Sequence, residues 1–198
     1  LGVACSIQAN LGTSPISSVP YALSQFTPLT VGTATIAMNA VFILIQILLL
    51  RRRYDPVQLL QLPVAIVFGY LTDFAVWLVS FLQPAAYWQQ WLLCLVGIAL
   101  VGIGVSCEVT AGVATMAGEG VVLAVCQVTP VKFGTMKVTF DVTLVVIACT
   151  LSLLFLGHLA GVREGTVAAA LLVGQVARRM NRALEPVDRR LLTGYGDC

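Results

Sequence analysis

The sequence predicts an all-α polytopic membrane protein: six membrane-crossing helices, arranged as two inverted-topology repeats of three, each repeat with one extra short helix. Three observations predict it. Of 198 residues, 59% are hydrophobic and 10% charged, and the mean hydropathy is +0.94. Soluble domains carry roughly 25% charged residues, and a soluble fold of this size has too little interior to hide so much apolar surface. That disfavours a soluble enzyme, a nucleic-acid binder and a disordered chain. The apolar residues also gather into runs near the length of about 20 residues that crosses a bilayer. Finally, the two halves of the chain repeat.

Taken in order, residues 1–10 read as the end of a first crossing helix. The stretch 13–26 is too short to span; Thr13-Ser14-Pro15 places a hydroxyl cap before a proline at the first helical position. Val31–Leu50 is a crossing helix, closed by Arg51, Arg52 and Arg53. Val57–Leu82 is another, with Asp73 inside it. Trp88–Ala111 follows, with Trp88 and Trp91 where an interfacial aromatic belt sits. A second short stretch, 115–128, begins at Thr115. Val131–Leu156 and Gly165–Arg182 complete the six. Both short stretches read as helices, re-entrant or lying in the interface.

The distribution of positive charge selects this count. With six crossings and both termini in the cytoplasm, Arg51–Arg53, Lys132, Arg178, Arg179, Arg182, Arg189 and Arg190 lie inside and Arg163 outside. Eight crossings would put Arg51–Arg53 outside. The basic stretch from Arg178 to Arg190 reads as a topology determinant, and residues 184–198 as a cytoplasmic tail.

A shift of 102 residues lays Gly2–Gln46 on Gly104–Ala148 without a gap. Gln25-Phe-Thr-Pro-Leu-Thr-Val-Gly-Thr33 falls on Gln127-Val-Thr-Pro-Val-Lys-Phe-Gly-Thr135. Gly2, Val3, Cys5, Ala9, Thr13, Val19, Ala22 and Ile45 also meet identical residues. Inserting three residues extends the match, so that Gly69 meets Gly174. Repeat 1 is then residues 1–84 and repeat 2 residues 85–183. Three crossings per repeat invert the second half, as in many secondary transporters. The repeat also projects Trp88 to about 14 residues before Leu1, where the first helix is expected to begin.

Leu11-Gly12-Thr13-Ser14-Pro15, followed by Leu29-Thr30-Val31-Gly32 at the start of the next long helix, resembles the YczE/YitT-type bacterial integral membrane proteins. The resemblance runs from Gly2 to about Arg182. It implies a fold and a place in the bacterial inner membrane, and no reaction or catalytic residue. Ile16 and Ser17 stand where that family often has Trp-Asp, so a site built on that acid has no counterpart here.

Ionisable groups inside membrane helices are the candidates for chemistry. Asp141 lies at mid-depth in its helix, and its repeat counterpart is Asn39. The pseudo-twofold would bring the two toward one site. Lys137, four residues before Asp141, lies on the same helical face. Such a pair is either a switchable element of a transport path or a structural ion pair. Glu119, between Gly118 and Gly120 in the first turn of the second short helix, is a ligand candidate or a dipole cap; its counterpart is Ser17. The Gly12-Thr13-Ser14-Pro15 turn offers free N–H groups to an anion or is a plain turn. Glu108 and Asp73 stand near helix ends, and His158 reads as a loop residue. The cysteines at 5, 94, 107, 126, 149 and 198 form no C-x-x-C pair or zinc-spaced cluster, so no metal or other cofactor is expected.

The leading expectation is a small secondary transporter or exporter of a small solute or ion, by alternating access about Asn39 and Asp141. Alternatives are a substrate-capturing membrane subunit of a multi-component importer and a non-transporting assembly or regulatory protein. An enzyme is not expected: H-E-x-x-H, G-x-S-x-G and a helical acid pair are all missing. The partners expected are the lipid bilayer, the solute and, plausibly, a second copy of the chain.

Overall fold

A computed structural model describes residues 1–51, 56–111, 116–131, 133–159 and 161–193. Those residues form helices: α1 (Gly2–Gln8), α2 (Pro15–Phe26), α3 (Val31–Leu50), a 3-10 turn at Pro56–Leu60, α4 (Gln61–Leu78), α5 (Tyr87–Ala111), α6 (Ala117–Val128), α7 (Phe133–Leu156) and α8 (Glu164–Thr193). Among the described residues, four stretches are long and apolar enough to cross a membrane: Val31–Leu50, Gln58–Leu78, Tyr87–Glu108 and Phe133–Leu156. In α8 the apolar part is shorter, Glu164–Ala177. The α8 backbone stays helical past Arg182 to Thr193, through Arg178–Glu185, which holds no glycine or proline.

The surface is that of a helical membrane protein. Large apolar side chains point outward along the long helices, among them Leu48, Val67, Phe74, Val142 and Leu154. Each would cost about 1.5–3 kcal/mol in water, and none of that in hydrocarbon. Trp77, Phe81, Tyr87 and Trp88 stand exposed where α4 ends and α5 begins, at the level of an aromatic belt.

The interior is built from small residues, which lets backbones approach in the absence of a hydrophobic drive between helices. Gly2 and Ser6 of α1 lie against Gly97 of α5. Gly32 of α3 faces the Gly69 carbonyl of α4, and Gly69 in turn lies under Ile36. Gly102 of α5 receives Val173 and Val176 of α8.

The two short helices occupy the centre. Val19 and Ala22 of α2 and Ala117, Val121 and Val122 of α6 share one core cluster with Phe42, Ile43, Phe140, Leu144 and Ala148 of α3 and α7. α3 packs on α6, α7 packs on α2, and Gly118 lies against Ile16. On the flanks, α5 carries α1 and α8, and α4 lies on α3 with a smaller contact to α1. Among the described residues, α8 shares no packed face with α7.

Candidate functional site

α7 buries one stripe: Phe140, Leu144, Ala148 and Ser152, four residues apart. Lys137 and Asp141 lie beside that stripe, at its end toward the helix start. There the cover ends, and their side chains are 30% and 27% exposed. Lys137 Nζ donates to Asp141 Oδ1 at 3.1 Å, the i,i+4 pair expected from the spacing. Asp141 is the ninth residue of α7, about 12 Å along it, so the pair stands inside an apolar span. The ammonium also lies 5.8 Å from the Phe140 ring centre, a cation–π distance.

Asn39 is buried in α3, and its Nδ2 donates to the Thr35 carbonyl at 2.9 Å. Asn39 and Asp141 each bond within their own helix. What joins the two helices is Phe42 against Phe140, ring centres 5.4 Å apart. Phe42 is one turn beyond Asn39, and Phe140 adjoins Asp141. Both polar groups therefore flank one aromatic crossing.

The turn before α2 is held by a distant segment. Thr13 donates its N–H at 2.9 Å and its hydroxyl at 3.3 Å to the Gly161 carbonyl. Gly12 has φ +103°, a left-handed conformation that a side chain would strain. Ser14 is the N-cap residue, yet its hydroxyl donates to Ser17 Oγ at 3.0 Å and not to the helix backbone. Thr13 lines a cavity of about 670 Å³ with Tyr21, Gln25, His158, Arg163 and Glu164. Burial pushes the Tyr21 phenol above its usual pKa, so it stays a neutral donor. Arg163 Nη1 donates to the Asn10 carbonyl at 3.0 Å, and Nε lies 3.7 Å from Glu164. Neither Asp141 nor Asn39 reaches this cavity. Sequence reasoning missed Tyr21, Gln25 and Arg163, because the cavity forms only when the loop after α7 folds over α2.

Glu119 is half-buried in the first turn of α6. Its neighbour Glu108 accepts from the Met116 N–H at 2.8 Å and so caps α6 from the end of α5. Thr115 lies outside the described residues. Asp73 has the matching duty at α3: Thr30 Oγ1 donates to its Oδ2 at 2.6 Å and the Gly32 N–H to its Oδ1 at 2.7 Å. No group of three or more metal-ligating residues occurs among the described residues.

A model of a family of unknown function, DUF6198, matches residues 1–182. No curated protein and no solved structure matches the chain.

Proposed function

Because the chain belongs to DUF6198, a family of unknown function, we propose its activity from its own residues: a small secondary carrier that moves a small polar or charged solute by alternating access. The observation that carries this is the Lys137–Asp141 pair, inside an apolar span and incompletely covered. A charge at that depth is costly, and a purely structural pair would be expected to be closed in by neighbours. A solute with a charge or a strong dipole can displace either partner, and Asn39 across the aromatic crossing supplies a neutral amide.

The same reading includes six crossings in two inverted repeats. Its support is the exchange of packing partners: α3 lies on α6 as α7 lies on α2, and Ile16 touches Gly118, its own counterpart at a shift of 102. Such an exchange is what a pseudo-twofold between repeats produces. Kinship with the YczE/YitT-type proteins, and a place in the bacterial inner membrane with both termini inside, belong to this reading. Glu119, Thr13, Ser14 and Ser17 stand at the starts of the two central helices, where a solute would pass next.

The test is a thermal-stability screen of purified protein in detergent. The compounds are small anions, cations, amino acids and vitamins, run on wild type and Asp141→Asn. The expected result is a compound that raises the melting temperature of wild type and not of the variant. A compound that stabilises both equally would remove Asp141 from the site.

A further inference from the structure

The two repeats are packed differently. In the first, α4 covers the start of α3 at Gly32 and Ile36. A side-chain carbon on Gly32 would strike the Gly69 carbonyl and the Asp73 carboxylate, and one on Gly69 would strike Ile36 at 2.5 Å. In the second repeat the corresponding face of α7 carries Gly134, Val138 and Asp141. Val138 is 64% exposed. A carbon added at Gly134 would meet nothing within 4 Å, and one at Gly174, the counterpart of Gly69, also meets nothing within 4 Å. The sequence thus places glycine at both contact positions of a helix pair that is not in contact. Gly174, inside α8, costs about 0.5–1 kcal/mol relative to alanine, which this arrangement leaves unexplained.

We propose that α8 closes on α7 in a second state of the protein, with Gly134 meeting Gly174 as Gly32 now meets Gly69. This rests on the carrier reading and gives it a movement. The open face lies at the start of α7, the end at which Lys137 and Asp141 stand. The closed contact lies at the start of α3, clasped by Thr30 and Gly32 on Asp73. In the inverted arrangement these are opposite membrane faces, with α7 starting on the cytoplasmic side. The structure is then the state open to that side. Closure of α8 would cover the start of α7 as α4 now covers the start of α3, and release of the Asp73 clasp would uncover the latter. The start of α8 is already anchored: its Gly165 N–H donates to the Leu11 carbonyl at 2.8 Å, and Gly161 holds Thr13. It packs on α5 through Val173 and Val176. Closing therefore means a swing of the far end of α8 about that anchor.

Disulfide trapping tests this. Gly134→Cys and Gly174→Cys are introduced together into the full chain with its six natural cysteines replaced, in native membranes under mild oxidation. Both sites have room for the side chain, and the melting temperature of the reduced variant checks folding. A disulfide needs α-carbons within about 7 Å, an approach that helices sharing no packed face do not sustain. The expected result is a faster-migrating monomer, absent from either single variant, whose yield rises when Asp73→Asn weakens the opposite clasp. No cross-link in a folded variant overturns the closure. So does a cross-link that doubles the mass, which would assign this face to a second copy of the chain. A compound that stabilises wild type through Asp141, with no cross-link, would leave the carrier standing and remove this movement. A cross-linked monomer with no stabilising compound would keep the movement and count against the carrier.

Discussion

Asp73 stands about 18 Å along α4, where an ionised carboxylate needs compensation. It accepts from one hydroxyl and one backbone N–H at the start of α3, so helix dipole and charge-assisted hydrogen bonds act together. Replacing it by asparagine keeps the shape, removes the charge and turns one acceptor into a donor facing donors. The expected loss is about 1–2 kcal/mol, read as a lower melting temperature in detergent. Thr30→Val should lose a comparable amount, since it removes both the Asp73 bond and the cap that Thr30 Oγ1 gives the Thr33 N–H. An unchanged melting temperature in Asp73→Asn would mean the clasp is not formed. The sequence marked Asp73 as an ionisable group inside a span, but not its partners, which lie 41 and 43 residues away on another helix. Glu108 is similar: its acceptor role depends on where α6 begins, which spacing alone does not fix. Lys137–Asp141 was legible because i,i+4 geometry is local.

At the level of elements, glycines with the same place in the repeat have opposite surroundings. Gly32→Ala forces a methyl into the Gly69 carbonyl, a backbone atom that cannot swing aside, and against the Asp73 carboxylate. The expected cost is about 1–3 kcal/mol from overpacking. Gly174→Ala meets open space and should instead stabilise the helix, by about 0.5–1 kcal/mol. Gly134→Ala lies in the first turn of α7, where helix propensity counts less, and should be near neutral. Thermal unfolding of the three single variants checks this ordering; a Gly174→Ala protein as damaged as Gly32→Ala would show that α8 already rests on α7. Helix positions were largely legible, because each long apolar run is bounded by Pro, Gly or charge. The central burial of α2 and α6 was not, since twelve-residue apolar helices look alike in an interface and in a core. Their neighbours are set by long-range packing of Val19, Val122, Phe42 and Phe140.

For the whole molecule, the proposed count of six crossings requires that α2 and α6 do not cross. Each has twelve residues, about 18 Å of helix, against roughly 30 Å of hydrocarbon. On the proposed six-crossing reading neither crosses, Arg51 lies inside with the other basic loops, and Gln83 lies outside between α4 and α5. If both cross, the chain passes eight times, and these two positions exchange sides while His158 stays outside. Arg51, Gln83 and His158 are all exposed, so a cysteine at each is reachable by reagent. In intact cells a membrane-impermeant maleimide should therefore label Gln83→Cys and His158→Cys in a cysteine-free background, and Arg51→Cys only after permeabilisation. His158→Cys reports that the reagent reaches the outer face whichever count holds, so a negative result at the other sites keeps its meaning. Labelling of Arg51→Cys in intact cells with Gln83→Cys protected would establish eight crossings. The two halves would then share one orientation, and both the inverted repeat and the carrier built on it would fall.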